Sequence, residues 1–301
     1  KMDLPEGVRV VAWPGGHAPQ RQSAQQMERR RLLQTLDVDL VHAGPVQTCL
    51  FLAGLAGAKP LVGMSWGSDL LVEALSSPAA RRKAQAALHR SDFLLADCQA
   101  VRSVAMELGF PAERIRVFPW GVDLQQFTPA VSKGQAIRER LGWQEAVVVL
   151  SLRSWEPIYG VEGAVKGFAR AAQRDPRLRL LLLSAGSLEA RIHDQIARLG
   201  LGDKVHLPGR IGQADLPAWY QAADVYLSAS HSDGSSVSLL EALASGLPAL
   251  VSDIPGNRER VQPGGNGLLF PVEDAQTLAE RLLALASDAA LRRRMGEHSR
   301  E

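Results

Sequence analysis

Residues 224–248 read DVYLSASHSDGSSVSLLEALASGLP, which predicts a buried strand, a small polar loop and a helix in succession. The helical pattern resumes near Val237 and ends before Gly246, the residue type preferred just past a helix C-terminus. The loop at 234–236 therefore presents several backbone N–H groups at the start of a helix. Such a helix end carries partial positive charge and is suited to an anion such as a diphosphate.

Two carboxylates frame this loop, since Asp233 lies within it and Glu241 follows eight residues later on the helix. Carboxylates repel phosphate, but they accept hydrogen bonds from the vicinal hydroxyls of sugars. One acid on each side of a diphosphate matches a nucleotide sugar, with a hexose at one end and a ribose at the other. The alternative is a plain strand, Ser/Gly loop and helix, which is common in α/β proteins. Against it, Glu241 lies among apolar residues, where a carboxylate is costly to bury without a hydrogen-bonding partner.

The same alternation of short apolar runs and amphipathic stretches extends along the chain, and it is typical of β-α-β units with parallel sheets. Strands are predicted at 8–12, 39–43, 60–65, 93–97 and 116–119, and then at 147–152, 178–184, 204–207, 224–229, 248–251 and 267–270. Helices are predicted at 24–35 and 79–89, and then at 161–174, 188–199, 216–222, 238–244 and 275–287.

A turn and a linker are expected between the two halves, because Pro and Gly flank Trp120 and a polar run follows at 132–134. We therefore predict two Rossmann-like, doubly wound parallel-sheet domains at 1–130 and 131–301. Ligands of such folds bind beyond the carboxyl ends of the strands, so the sequence predicts a cleft between the domains.

Length and composition fit a globular enzyme of two domains, because 301 residues exceed what one core usually organises and 46% of them are apolar. The net charge of +2 gives no support for a nucleic-acid partner. The two cysteines form no C-x-x-C pair, and no apolar run reaches the roughly 18 residues of a membrane span. We expect a cytoplasmic protein. The basic clusters at 29–31 and 81–83 read as solvated helix faces, with peripheral contact to the inner membrane face left open.

Seven residues separate Asp233 from Glu241, and Glu241 opens the run EALASGLP. Three further motifs occur in the chain, namely PWGVD at 119–123 with Phe127 and Pro129, VHLPG at 205–209, and NGLL at 266–269. With these motifs the chain resembles the family 4 retaining glycosyltransferases of GT-B fold. Their signature is a Glu, seven residues and a second Glu within a Glu-Ala-Met/Leu-Ala-x-Gly-x-Pro run. Asp233 stands where that family usually has the first Glu.

The resemblance implies roles for the matching residues. Glu241 would hold the ribose, Asp233 the sugar hydroxyls, and Arg153 would offset the charge on the diphosphate, which makes these three the expected catalytic residues. Further donor-binding residues implied by the resemblance are Gly234, Ser235, Ser236, Val237, Gly209 and Arg210.

The chain also departs from the family pattern. Tyr159 stands where a Lys is expected, and Trp66 replaces a His near the reacting centre. Trp66 and Asp69 are expected in the cleft, with a helix N-cap as the alternative role of Asp69. The first strand with its glycine-rich loop and the final crossing helix of the family have no counterpart. We therefore expect a chain truncated at both ends, with an incomplete N-terminal domain.

These features predict a hexosyltransferase that moves a sugar from a nucleoside-diphosphate sugar to a hydroxyl of a carbohydrate or lipid-linked acceptor. The resemblance implies retention of configuration. No metal or other cofactor is expected. The D-x-D run at 37–39 is interpreted as the break between a helix and the following strand, and the histidines lack the spacing of metal ligands. A non-catalytic or inactive nucleotide-sugar-binding module is the main alternative, and an epimerase acting on a nucleotide sugar is another.

Overall fold

A computed structural model of the chain describes residues 7–13, 22–130 and 132–301. Its two parallel sheets, flanked by helices, confirm the predicted α/β fold class. The chain divides into two compact units, of which the first comprises Lys1–Ala96 and Val101–Val117 and the second Asp97–Ala100 and Phe118–Glu301. The division near residue 130 that we expected from the sequence stays a prediction.

The first unit contains a four-stranded parallel sheet in the order β1-β2-β3-β4 among its described residues. Its strands are β1 Val41–Ala43, β2 Leu61–Met64, β3 Phe93–Ala96 and β4 Ile115–Val117. The helices that begin before residue 118 are α1 Gln22–Leu36, α2 Phe51–Leu55, α3 Ser68–Leu71, α4 Pro78–Arg90 and α5 Gln99–Glu107, with a π-helical turn at Val46–Leu50 and 3₁₀ turns at Glu73–Leu75 and Ala112–Arg114.

The strand predicted at 8–12 is wrong. Residues 8–13 form no regular secondary structure, and the side chains of Val8, Val10 and Val11 are exposed. The sequence at 8–12 has the apolar pattern of a strand. Within the described chain, however, β1 pairs only with β2, and no strand forms backbone hydrogen bonds with residues 8–12. A strand pattern without a partner does not form a strand, because its backbone groups remain bound to water.

The second unit contains a six-stranded parallel sheet in the order β10-β9-β8-β5-β6-β7. Its strands are β5 Val147–Ser151, β6 Leu178–Leu182, β7 Val205–His206, β8 Val225–Ser228, β9 Ala249–Ser252 and β10 Gly267–Phe270. All residues of β5, β8 and β9 are buried, which explains why these strands read as continuous apolar runs in the sequence. The order of the strands reverses between β5 and β8, and a crevice forms at such a reversal.

Helices cover both faces of the second sheet. They are α6 Ser132–Leu141, α7 Val161–Ala172, α8 Glu189–Arg198, α9 Leu216–Gln221, α10 Val237–Ala244, α11 Pro255–Arg258, α12 Ala275–Ser287 and α13 Ala289–Arg300, with a 3₁₀ turn at Pro157–Tyr159. Side chains of β5 alternate between two cores. Val147 and Val149 pack with residues of α7 and α12, and Val148 and Leu150 pack with residues of α9 and α10.

The prediction of a linker at 132–134 is wrong. This polar run forms the first turn of α6. Gly134 lies so close to α9 that a Cβ atom there would overlap the backbone of Gln221. This close packing outweighs the weak helix propensity of Ser and Gly, which is a common outcome where tertiary contacts compete with local preference.

None of the helices in the described parts of the chain combines the length and the apolar composition that a bilayer crossing requires.

The core between α7 and α12 gives a stability prediction. Leu282 is fully buried in the same core as Phe168 and Trp155, so Leu282→Ala should lower the free energy of unfolding of the second unit by about 2–5 kcal/mol. Urea unfolding followed by tryptophan fluorescence measures this change. Leu124→Ala, at an exposed position of the same unit, is the control and should change the free energy by less than about 0.5 kcal/mol. Equal effects of the two changes would contradict the described core.

Candidate functional site

The reversal of strand order brings together two chain segments that are far apart in sequence. Strands β5 and β8 pair in parallel, with Val149 opposite Val225 and Leu150 opposite Tyr226. Their carboxyl ends therefore lie side by side at one edge of the sheet. Arg153 follows β5, and the loop that contains Asp233 follows β8. The expected catalytic residues of the second unit thus converge at the place where open α/β sheets bind ligands.

The loop after β8 leads into the N-terminus of α10, and no side chain caps this helix end. Ser236 is the N-cap residue, but its hydroxyl accepts a hydrogen bond from Arg153 Nη1 at 3.0 Å. The N–H groups of the first helical turn therefore keep their positive partial charge without a side-chain acceptor. The binding of an anion at 234–236, which the sequence predicted, stays a prediction.

Two glycines allow other segments to lie directly against the loop. A Cβ atom at Gly160 would overlap the carbonyl oxygen of Ala229, and one at Gly256 would overlap the carbonyl oxygen of Gly234. Gly160 also has a φ of +58°, which disfavours other residues. The loop is therefore held in place by backbone packing on both sides.

Arg153 and Asp233 form a largely buried ion pair, with 2.8 Å between Nη2 and Oδ2 and with both side chains 14% exposed. Arg153 Nη1 donates to Ser236 and, at 3.3 Å, to the hydroxyl of Ser238. The ring of Tyr159 covers the guanidinium, with 4.1 Å from its centroid to Cζ. Burial raises the pKa of the Asp233 carboxyl, and the charge of Arg153 only partly offsets this effect.

Glu241 is buried, with 4% of its surface exposed, and each of its carboxylate oxygens accepts a hydrogen bond from a side chain. Gln213 Nε2 donates to Oε1 at 2.8 Å, and the Tyr220 hydroxyl donates to Oε2 at 2.8 Å. Burial raises the pKa of Tyr220 well above its ordinary value, and the charge of Glu241 adds to the shift, so the hydroxyl stays protonated and donates. A carboxylate offers about four acceptor positions, so Glu241 retains capacity for further donors.

Sequence reasoning missed the partners that hold these charged residues. All three tyrosines of the chain lie at this site: Tyr159 covers Arg153, Tyr220 donates to Glu241, and Tyr226 shares a hydrogen bond of 2.9 Å with Ser238. Tyr226 lies in a buried strand and Tyr220 in a short helix, and a buried phenol needs a polar partner. That requirement is the signal in the sequence that could have pointed to them.

Asp97 is a further acid that the sequence analysis did not single out. It belongs to the segment Asp97–Ala100 of the second unit, and its Oδ2 accepts a hydrogen bond of 2.8 Å from the backbone N–H of Ser235. Burial raises the pKa of the Asp97 carboxyl, and the charge of Asp233 contributes in the same direction. Within the described residues, Asp97 Oδ1, Arg153 Nε and the Ser235 hydroxyl are buried without hydrogen-bond partners. Buried polar atoms without partners are unusual in a folded protein. Seven occur among the described residues, and the other four, on Gln195, Gln221, Ser245 and Arg260, lie outside this loop.

Two of the expected donor-binding residues, Gly209 and Arg210, lie in the loop after β7. Gly209 adopts a φ of +78°, and its carbonyl accepts a hydrogen bond of 2.8 Å from the N–H of Ser184, two residues after β6. Arg210 is exposed, and so is Val237 at the start of α10. These residues are at the same carboxyl edge of the sheet as Arg153, because β5, β6 and β7 are consecutive parallel strands.

The two residues expected in the cleft belong to the first unit. Trp66 is exposed, and Asp69 is buried. The alternative role of Asp69 as a helix N-cap is wrong, because Gly67 occupies the N-cap position of α3 and Asp69 lies inside the helix. Its carboxylate instead accepts hydrogen bonds from the Ser65 hydroxyl and from the N–H groups of Trp66 and Val46. The placement of both residues in a cleft stays a prediction.

Among the described residues, His, Cys, Asp and Glu form no group of three or more that could hold a metal ion.

Two family models match the chain. The model described as "Glycosyl transferases group 1" covers residues 134–301, and the model described as "Glycosyltransferase Family 4" covers residues 2–126. Similar curated proteins include the D-inositol 3-phosphate glycosyltransferase of Kribbella flavida, 31% identical over 69% of this chain and 51% of that protein. The mannosylfructose-phosphate synthase of Agrobacterium fabrum is 31% identical over 61% of this chain and 42% of that protein. The matches thus span about half the length of these relatives or less.

Solved structures support the fold. The structure of Anabaena HepE in complex with UDP and glucose matches 96% of this chain and 78% of that chain, with a TM-score of 0.82 and 23% identity. Sucrose-phosphate synthase from Thermosynechococcus elongatus matches 94% of this chain and 74% of that chain, with a TM-score of 0.77 and 22% identity. The expected GT-B fold is therefore confirmed.

The raised pKa of Asp97 gives a prediction about pH. Because the folded-state pKa lies above the ordinary value of 3.8, the wild type loses stability as the pH rises from 3.8 through the folded-state pKa. Asp97→Asn removes this titration. The free energy of unfolding of the variant minus that of the wild type should therefore increase between about pH 3 and about pH 7, as measured by urea unfolding at a series of pH values.

Asp175→Asn is the matched control with the opposite sign. A hydrogen bond from Arg177 lowers the pKa of Asp175, so the wild type gains stability as the pH rises through that folded-state pKa toward 3.8. The difference between this variant and the wild type should decrease over that range. The same pH trend in both variants would contradict the buried position of Asp97.

The partner of Glu241 gives a second prediction. Tyr220→Phe leaves a buried carboxylate oxygen without its hydroxyl donor and should lower the free energy of unfolding by about 1–3 kcal/mol. Chemical denaturation measures the effect. Tyr159→Phe is the control, since its contact with Arg153 is made by the ring, and it should change stability by less than about 0.5 kcal/mol. A stable Tyr220→Phe protein would show that this hydrogen bond does not support Glu241.

Proposed function

Because the chain belongs to the glycosyl transferases group 1 family, we propose that it transfers a hexosyl group from a nucleoside-diphosphate sugar to an acceptor hydroxyl, with retention of configuration. The observation that carries the proposal is the uncapped N-terminus of α10, with Asp233 just before it and the buried Glu241 on the same helix. An anion-binding helix end between two hydroxyl-accepting carboxylates suits the three parts of a nucleotide sugar.

The two acids are proposed to bind the two ends of the donor. Glu241 is held by Gln213 and Tyr220 and keeps acceptor positions for the ribose hydroxyls. Asp233 is proposed to accept hydrogen bonds from hydroxyls of the sugar that is transferred. Its side chain is shorter by one methylene than the Glu usual at this position, so we expect the sugar to lie closer to the loop.

Arg153 and the amides of Gly234, Ser236 and Val237 are proposed to bind the diphosphate. The amide of Ser235 donates to Asp97, so it can join them only where a phosphate oxygen replaces that carboxylate as its acceptor. As the bond between the anomeric carbon and the donor oxygen breaks, negative charge grows on the departing diphosphate. A cation and a helix end aimed at that charge stabilise the transition state more than the ground state. The acceptor oxygen bonds to the anomeric carbon, and its proton passes to a donor phosphate oxygen. In this scheme Arg153 and the helix end take the place of a metal ion.

The turn at Gly209 and Arg210 is proposed to lie on the side of the nucleotide base. HepE was solved with UDP and with UDP-glucose, so uridine donors are the first to test, followed by GDP-, ADP- and TDP-sugars in a thermal-shift panel. We propose a carbohydrate or lipid-linked acceptor and a cytoplasmic location, with peripheral contact to the inner membrane face through 29–31 and 81–83 as an accompanying hypothesis.

A non-catalytic nucleotide-sugar-binding module is the second candidate, and Tyr159 is the observation that favours it. The resemblance leads us to expect a Lys there, and the ring of Tyr159 covers Arg153 without supplying a charge to the diphosphate. Release of free nucleoside diphosphate from a nucleotide sugar separates the two candidates, because a binding module releases none. Interconversion of two nucleotide sugars would point to an epimerase instead.

Glu241 provides the test of the donor site. Glu241→Ala removes a charged hydrogen-bonding partner, so the dissociation constant for the nucleotide sugar should rise about 10- to 100-fold. Calorimetric titration measures the constant, and Glu241→Gln serves as the milder variant if removal of the side chain disturbs folding. Glu280→Ala, at an exposed position on α12, is the control and should bind like the wild type. A folded Glu241→Ala protein with an unchanged dissociation constant would rule out this donor site.

A further inference from the structure

The guanidinium group of Arg153 is occupied in the structure. It forms the ion pair with Asp233, donates to Ser236 and Ser238, and lies beneath the ring of Tyr159. The cation that we assign to the diphosphate is therefore neutralised by the carboxylate that we assign to the sugar. A donor that used both residues in their proposed roles would have to separate them.

Among the residues named at the loop, no second cation accompanies Arg153, so the ion pair decides how much positive charge a diphosphate meets there. Tyr159 supplies no second cation, and Asp97 places another carboxyl group beside Ser235. A strongly anionic diphosphate thus approaches a loop where Arg153 is already matched by Asp233. Attraction between Arg153 and a phosphate has to compete with an ion pair in which both side chains are largely withdrawn from water.

We propose that the Arg153–Asp233 ion pair makes the site selective for the intact nucleotide sugar over the free nucleoside diphosphate, an inference that rests on the proposed function. Hydroxyls of the sugar donate hydrogen bonds to Asp233 and replace Arg153 as its partner. Arg153 is then released to the phosphate oxygens. Sugar recognition and phosphate binding are in this way coupled through one side-chain contact.

A free nucleoside diphosphate lacks the sugar hydroxyls. To bind Arg153 it has to leave the largely buried carboxylate of Asp233 without its cationic partner, close to its own negative charge. Selectivity is a difference between two affinities, and here it comes from a penalty on the wrong ligand as well as from contacts with the right one. The same penalty favours departure of the nucleoside diphosphate once the sugar has been transferred.

Asp233→Asn tests the proposal, because Asn keeps the size of the side chain and one oxygen acceptor but removes the charge. We expect UDP to bind about tenfold more tightly to the variant and UDP-glucose to bind no more tightly than to the wild type. The preference for UDP-glucose over UDP should therefore fall by about tenfold or more. Both dissociation constants are measured by calorimetry at one ionic strength. If the panel selects another base, the diphosphate and nucleotide sugar of that base replace the uridine pair.

Two further variants show whether charge is the cause. Asp175→Asn breaks a comparable contact, in which Asp175 Oδ2 lies 2.7 Å from Arg177 outside the loop, and it should leave both dissociation constants unchanged. Asp233→Glu keeps the charge and should keep the preference of the wild type. If Asp233→Asn does not fold, Asp233→Ser removes the same charge with a smaller side chain and carries the same expectation.

Structural damage in Asp233→Asn would weaken the binding of both ligands, whereas the proposed coupling predicts tighter binding of UDP and no gain for UDP-glucose. If the uncharged variant loses affinity for UDP and UDP-glucose by the same factor, or changes neither, the coupling is refuted while the proposed function stands. A wild-type protein that binds no nucleotide or nucleotide sugar of the panel refutes the proposed function itself.

Discussion

The parallel pairing of β5 with β8 is the constraint on which the rest of the second unit depends. About 75 residues separate these strands in the sequence, yet their carboxyl ends are neighbours because the strand order reverses between them. Arg153 reaches the loop after β8 only for this reason. The fold thereby places a cation, a helix end and two acids at one edge of a sheet, and their chemistry follows from that placement.

The charged groups at this edge are stable because neighbouring polar side chains satisfy most of their hydrogen bonds. Ser238 links the two halves of the arrangement, since its hydroxyl contacts Arg153 and Tyr226 and its carbonyl accepts from Tyr220. A buried network of this kind specifies one arrangement, because each member loses its partners if another moves. Three of the seven buried polar atoms without partners among the described residues are exceptions at this loop, where a ligand is expected.

Much of the second unit could be predicted from the sequence, because its buried parallel strands are short apolar runs bounded by turns. Gly267–Phe270 and Ala275–Ser287 match the predicted bounds, and the strand–loop–helix unit around Asp233 forms as expected. Local patterns failed where the outcome depends on a partner distant in sequence. Residues 8–12 have no neighbouring strand among the described residues, and residues 132–134 form a helical turn that packs on α9 through Gly134. The ion pair between Arg153 and Asp233 and the hydrogen bond from Tyr220 to Glu241 were equally invisible, since spacing does not reveal which side chains meet across a sheet edge.

The glycines at 160 and 256 have a consequence for how this protein can change over evolution or in directed evolution. Each leaves no room for a side chain, because a carbonyl oxygen of the loop occupies that space. Mutational libraries aimed at new substrates should therefore recover glycine at both positions, because any larger residue would push the loop backbone away. A library that keeps both glycines keeps the loop backbone in the position from which Asp233 meets Arg153.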